Sequence, residues 1–423
     1  MLHDESIRIV NQSRLDAHFV RPIYDSFGFA QIPATIESFF TGKPAGIPFG
    51  PRADMYVEYD RVVLVLLDAF GWRFFEQYAD THPFLKRFVD QGLVVKLTSQ
   101  FPSTTAAHVT TIHTGKTVGQ SGVYEWFQYE PSLDALIAPL LFSFVGDSDR
   151  ETLTEVGFPP ERLLPRRSFY HQLTNLGVEP FVMQHVGYAH SSYSRVVTAG
   201  ASMLPYRTLS EGVVCLGQHA AARRQRSYYL LYFDAIDIIG HARGPGSPHF
   251  AAEIQTNLDI LERLLHPALA QLSGRTLLLL TADHGQIATD PGATIYLDRE
   301  LPALTPMLKT NATGQPLVPA GSSRDFFLHV RSGQLDAACN LLERHLEGRA
   351  GVMAVSKLIE QGFFGPSVSP TFLSRVGDLV VLPYAGESVW WSGEGRFVKR
   401  HRGTHGGLCP EEMETMLLAL NYS

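Results

Sequence analysis

Arg61-Val-Val-Leu-Val-Leu-Leu-Asp68 decides the fold. Six consecutive aliphatic residues end in a carboxylate, with no alternation of polar and apolar side chains. A strand with one face in water would alternate, so this run reads as a strand covered on both faces, the condition of a parallel sheet layered between helices. Two later stretches have the same form. Ser227–Phe233 leads into Asp234 and Asp237, and Thr276–Thr281 leads into Asp283 and His284. Amphipathic segments such as Phe250–Leu265 and Leu335–Leu346 supply the covering helices. Ligands of such sheets gather at the carboxyl ends of the strands, where all three runs place carboxylates. The expected class is therefore α/β.

The chain has 423 residues, 45% of them hydrophobic, enough for one large α/β domain with an insertion. From about 293 to 394 the sequence becomes richer in Pro and Gly and its aliphatic runs weaken. This predicts a smaller inserted α+β cap, flanked by a first core segment, 1–292, and a closing segment, 395–423. The net charge of −7 and the absence of long basic runs argue against a broad nucleic-acid-binding surface. Three scattered cysteines offer neither a disulfide framework nor a cysteine zinc site. No segment is apolar for long enough to span a bilayer, and Met1–Arg14 lacks the apolar run of a secretory signal. A cytoplasmic location follows as the expectation.

Individually, the polar residues at these strand ends are ambiguous. Asp68 could cap a helix starting near Trp72, and Asp283-His284 could be an ordinary turn. Asp237 and His241, four residues apart, can reach one ion together. His405 lies in the flexible sequence Gly403-Thr404-His405-Gly406-Gly407. Taken together with Thr105, these side chains make two mixed Asp/His sets of three. Such nitrogen-and-oxygen sets suit zinc with open coordination positions. Two such ions about 4 Å apart can hold both the entering and departing oxygens of an in-line displacement.

The segments LLDAFGW (66–72), FPSTTAAHVTTIHTG (101–115), YFDAIDIIGHARGPG (232–246), LLTADHGQ (279–286) and GTHGG (403–407) carry a wider likeness. In this order, the chain resembles the type I phosphodiesterase/nucleotide pyrophosphatase branch of the alkaline-phosphatase superfamily. The resemblance implies a mostly parallel, alkaline-phosphatase-like sheet flanked by helices. It also implies a metal-dependent hydrolase acting on a small phosphate ester or nucleotide through a phosphothreonine on Thr105. One metal ion would be held by Asp237, His241 and His405, and the other by Asp68, Asp283 and His284, with Thr105 bridging. Zinc is expected, with manganese the alternative. Ser103 and Thr104 are the competing hydroxyls.

One position departs from the pattern. The phosphodiesterase branch carries an asparagine that contacts the phosphoryl group after the nucleophile helix. Here Trp126 stands in that place, preceded by Glu125. Either Glu125 points away and Trp126 packs beneath the cap, or the two shape a site for an unusual substrate. Tyr193, Ser194 and Arg195 could line the pocket. For these three, as for His108 and His113 in the nucleophile helix, a surface or core role is the simpler reading, and Asp234 reads as a supporting group. The competing functions are a phosphomonoesterase on the same metal core, an inactive binding protein with a vestigial core, and a sugar-phosphate mutase.

Overall fold

The computed structural model describes residues 1–164 and 168–422. Its centre is a seven-stranded sheet formed by β1 (Arg61–Leu67), β2 (Leu93–Thr98), β3 (Glu179–Met183), β4 (Ser202–Met203), β5 (Ser227–Phe233), β6 (Thr276–Thr281) and β7 (Glu414–Tyr422). The strand order is β2-β7-β6-β1-β5-β3-β4. β1 pairs in parallel with β5 on one side and with β6 on the other, so the three aliphatic runs are adjacent at the middle of the sheet. β7 runs antiparallel to both β6 and β2, which makes the sheet mostly parallel rather than wholly so.

Burial explains the lack of alternation in these strands. Val62, Leu64 and Leu66 face one core, together with Leu277 and Leu279. Val63, Val65 and Leu67 face the other, together with Leu278 and Leu280. Helices Trp72–Tyr78, Pro83–Gln91 and Pro248–Ile260 cover this second face. The expected helix from Phe250 begins at Pro248, and after Ile260 it continues through one wider turn, Leu261–Leu265. Helix Trp72–Tyr78 is capped by Gly71, so Asp68 is not its N-cap.

A second, four-stranded antiparallel sheet lies farther along the chain. It comprises Ala320–Gly321, Phe326–Leu328, Leu379–Pro383 and Ala350–Ala354, with helix Leu335–His345 beside it. Ile295–Tyr296 pairs in parallel with Val389–Trp390, bringing the two ends of this region together. Two buried arginines tie this region to other parts of the chain, one to the helix Pro410–Met413 that precedes β7 and one to the short strand Gln128–Glu130 of a separate three-stranded sheet. Arg324 pairs with Glu412 at 2.9 Å, and Arg375 pairs with Glu130 at 2.8 Å. No helix among the described residues is long and apolar enough to cross a membrane.

Candidate metal centre

The site lies at the carboxyl ends of β1, β5 and β6. Asp68 is the first residue after β1, and Asp283 and His284 follow β6. Asp237 and His241 lie on α2 (Ala235–Arg243), which begins two residues after β5 ends; α1 is the earlier helix Thr105–Thr114. The four-residue spacing places both α2 side chains on one helix face, and they meet at 3.1 Å. Gly240 allows α2 to lie against the Gln286 side chain, because a Cβ there would come within 2.0 Å of Gln286 Oε1.

Helix α1 starts from Thr104 in extended conformation and ends at Gly115, whose φ of 67° is the usual left-handed stop. Three consecutive hydroxyls precede or open this helix, and they have different surroundings. Ser103 Oγ donates to Gly407 O at 2.8 Å. Thr104 makes no side-chain cap. Thr105 Oγ1 faces the strand ends, 3.4 Å from both oxygens of Asp68 and 3.1 Å from His284 Nε2. Its backbone also belongs to the first turn, where N–H groups have no partner within the helix.

Two clusters of potential ligand atoms flank Thr105. Asp68, Asp283 and His284 form one, and Asp237, His241 and His405 the other; within each, the atoms lie within 4.8 Å of one another. Their orientation fits divalent cations. His241 Nδ1 donates to Gly403 O at 2.7 Å, His284 Nδ1 to Gly285 O at 2.9 Å, and His405 Nδ1 to Ser103 O at 3.0 Å. In all three, Nε2 is turned inward with its lone pair available, the arrangement of ligating histidines. Asp283 Oδ1 accepts from Ala69 N–H and His284 N–H, while its Oδ2 is buried without a hydrogen-bond partner among the described residues. Such an orphan calls for a partner the protein does not supply. The His284 and His405 rings stack at 3.7 Å, placing the two clusters side by side.

Electrostatics distinguish the carboxylates. Burial, reinforced by the charges of Asp283 and Asp237, pushes Asp68 well above the usual carboxylate range. Burial also acts on Asp237, but the hydrogen-bonded His241 and the nearby His405 and His284 hold it below that range. Tyr232 donates to Asp68 Oδ2 at 2.5 Å and Gln286 Nε2 donates to Asp237 Oδ1 at 2.5 Å.

His405 owes its place to two segments distant in sequence and to one nearby glutamate. Ser103 N–H donates to Gly406 O, Gly407 N–H donates to Glu412, and Ser322 Oγ donates to His405 O. Gly406 has a φ of 125°, and a Cβ there would come within 2.5 Å of Ser322 Oγ. Only glycine meets both conditions.

Cavities open on both sides of Thr105. One, of about 230 Å³, is lined by Asp68, Leu140, Arg150, Gln184, Tyr188 and Tyr193 among others. Ser194 and Asp234 also reach it. Arg195 is not among its lining residues and bonds Ser192 Oγ instead. The other, of about 350 Å³, is lined by Glu125, Phe127, Trp390, Lys399, His401 and His405, with Ser323 at one wall. Trp126 and Ile238 border both. Trp126 is 37% exposed, a position at the groove and not one packed beneath a cap. Glu125 is buried, and burial pushes its carboxyl up to about 7 against the opposing effects of Trp126 N–H, Thr104 and Lys399. His108 and His113 are satisfied core residues: His108 bonds Ser99, Gln100 and Thr104 O, and His113 bonds Tyr170. Tyr232, Arg150 and Lys399 at the groove, and Gln286 against Asp237, escaped the sequence reading, because only chain folding brings them to the site.

A mostly parallel sheet bearing two such clusters at its carboxyl edge defines the alkaline-phosphatase superfamily. Residues 62–138 and 166–408 match the type I phosphodiesterase / nucleotide pyrophosphatase family, and the chain belongs to that family of phosphoester hydrolases. Murine ectonucleotide pyrophosphatase / phosphodiesterase 5 is similar in structure, with a TM-score of 0.64, 17% identity, and coverage of 85% of this chain and 87% of that one. The human protein of the same name gives 0.63 and 18%, with coverage of 85% and 87%. Phosphonoacetate hydrolase from Sinorhizobium meliloti 1021, in complex with phosphonoacetate, gives 0.60 and 18%, with coverage of 84% and 89%. An inactive variant of the murine protein has been solved in complex with AMP. No curated protein sequence matches the chain.

Proposed function

We propose that the chain cleaves a phosphodiester or nucleotide pyrophosphate bond, with Thr105 as nucleophile and a phosphothreonine as the covalent intermediate. The observation that carries this reading is a single groove with a cavity on each side of the Thr105 hydroxyl. A diester or pyrophosphate has two substituents to accommodate, whereas a monoester has one. The tyrosines and Arg150 of the smaller cavity suit a nucleoside monophosphate portion, since rings stack and a guanidinium pairs with phosphate.

In this reading Asp68, Asp283 and His284 hold one divalent ion and Asp237, His241 and His405 hold the other, both zinc. The ions would supply positive charge to the entering and departing oxygens of the displacement. Thr105 Oγ1 forms the bond to phosphorus as the bond to the leaving oxygen breaks, and its proton passes to the Asp68 carboxylate beside it. The unpaired N–H groups of the first turn of α1 face the phosphoryl oxygens. Water then adds to phosphorus as the bond to Thr105 Oγ1 breaks, which restores the hydroxyl and releases the transferred half as its phosphate monoester. Residues 293–394 act as a cap over the larger cavity, a boundary supported by the pairing of Ile295–Tyr296 with Val389–Trp390. A cytoplasmic location belongs to the same reading and rests on three free cysteines.

The test compares zinc-loaded wild type with Thr105→Ala on bis(p-nitrophenyl) phosphate and p-nitrophenyl phosphate. We expect a diester preference in the wild type. The variant should lose at least about 10³-fold in kcat/KM while retaining its metal. A strong monoester preference overturns the diester reading, and an active variant overturns the nucleophile.

A further inference from the structure

The larger cavity contains charged groups for which the hydrolytic scheme has no use. Glu125 lies in its wall, 1% exposed, with Oε2 taken up by the backbone N–H of Trp126. Asp325 is buried nearby, its Oδ1 accepting from Ser322 N–H at 3.1 Å and from the Ser322 hydroxyl. On the same cavity stands Lys399, whose Nζ lies 5.6 Å from the centre of the Trp390 ring.

A carboxylate among Trp126, Phe127 and Trp390, with a second one buried nearby, would ordinarily suggest a site for a cationic ligand. Lys399 already fills that role. Its ammonium sits over the aromatic face, and Glu125 and Asp325 act on it through their charges. What it lacks is an acceptor, because its ammonium has no hydrogen bond or close ion pair among the described residues. An ammonium carries three N–H donors, and a ring face satisfies none of them as an oxygen would. Ser323 lines the same cavity, and its hydroxyl is buried without a partner among the described residues. Burial lowers the Lys399 ammonium to about 8, with Glu125 and Asp325 opposing, so it is largely charged at neutral pH. Its charge also bears on His241 and His401, which places it beside the Asp237–His241–His405 cluster.

We infer that this cavity is the leaving-group subsite and that Lys399 receives a phosphate or carboxylate carried by the departing half of the substrate. The inference rests on the phosphodiester reading above and deepens it: the preferred substrate has a leaving group with its own anionic group. Lys399 is then a specificity-determining residue. It contributes binding to charged leaving groups and nothing to neutral ones.

The experiment uses two substrates with the same transferred group, thymidine 5′-triphosphate and p-nitrophenyl thymidine 5′-phosphate. Zinc-loaded wild type, Lys399→Met and Lys399→Arg are compared on both. Loss of a charge-assisted contact should lower kcat/KM of Lys399→Met on the triphosphate by roughly 10- to 100-fold. The aryl ester should stay within about threefold, as expected for an interaction it never makes. Lys399→Arg should keep most of the triphosphate activity, and inorganic pyrophosphate should inhibit Lys399→Met more weakly than wild type. Equal losses on both substrates, or no loss on either, overturn the inference. A wild type that cleaves the aryl ester but not the triphosphate overturns it too, while leaving the phosphodiester reading standing. A wild type that cleaves neither overturns that reading and the inference with it.

Discussion

Replacing Tyr232 by Phe removes one oxygen from the wall of the candidate metal centre and leaves the ring in place. That oxygen makes the shortest contact to Asp68, a 2.5 Å hydrogen bond to Oδ2. The remaining contacts are looser: Thr105 Oγ1 at 3.4 Å from each carboxylate oxygen and His284 Nε2 at 3.6 Å from Oδ1. Asp68 is 1% exposed, so water cannot readily replace the phenol. A hydrogen bond to a buried charged group is worth about 1.5–3 kcal/mol. At about 1.4 kcal/mol per factor of ten, this corresponds to roughly 10- to 150-fold in an equilibrium constant. The usual cost of removing a partner that orients a metal ligand, about 10- to 100-fold in affinity, agrees. Zinc affinity, measured by competition with a chromophoric chelator, should therefore fall by one to two orders of magnitude at one of two sites. The urea midpoint of the chelated protein reports whether the fold survives. Zinc affinity within about twofold of wild type in a folded variant would refute the role given to Asp68 and its tyrosine.

Two further predictions concern stability. Arg324→Met should destabilise the chain by about 3–5 kcal/mol in urea unfolding, because it strands Glu412 in a fully buried position. Adding Glu412→Leu should recover part of that loss, and strictly additive effects would show that the two residues are not coupled. His329 is 4% exposed, and burial lowers its imidazole to about 4 from an ordinary 6.5, with Lys309 also lowering it and Asp378 opposing. The unfolded chain therefore takes up this proton first. Stability from the neutral ring is complete above 6.5 and declines as pH falls towards 4. In chelated protein, His329→Gln should show a pH slope below 6.5 that differs from wild type by up to about 1.4 kcal/mol per unit. The buried carboxylates are common to both proteins and cancel. Parallel profiles would refute the assignment.

The sequence by itself determined the centre of the sheet and most of the candidate metal centre. Arg61–Leu67, Ser227–Phe233 and Thr276–Thr281 are legible because a strand buried on both faces must be apolar at every position, whatever surrounds it. Their terminal carboxylates follow from chain continuity: a residue that ends a central parallel strand emerges at the same edge as its neighbours. Asp237 and His241 were legible for a similar local reason, since four residues of helix bring them together.

Tertiary structure decided the rest. β7 enters antiparallel between β6 and β2, a register that depends on a neighbour more than a hundred residues earlier in the chain. Which of Ser103, Thr104 and Thr105 faces the carboxylates depends on the Gly403–Gly407 loop capturing Ser103. That loop is in turn held by Ser322 and Glu412. The sequence left two places open for Trp126, under the cap or in the site wall; folding leaves it 37% exposed at the groove and buries its neighbour Glu125. Lys399 gains its meaning only beside Trp390 and Glu125. The division has one physical cause. Hydrophobic periodicity and strand-end position are properties of a chain segment, whereas a hydrogen bond or charge contact requires two segments whose meeting no local pattern encodes.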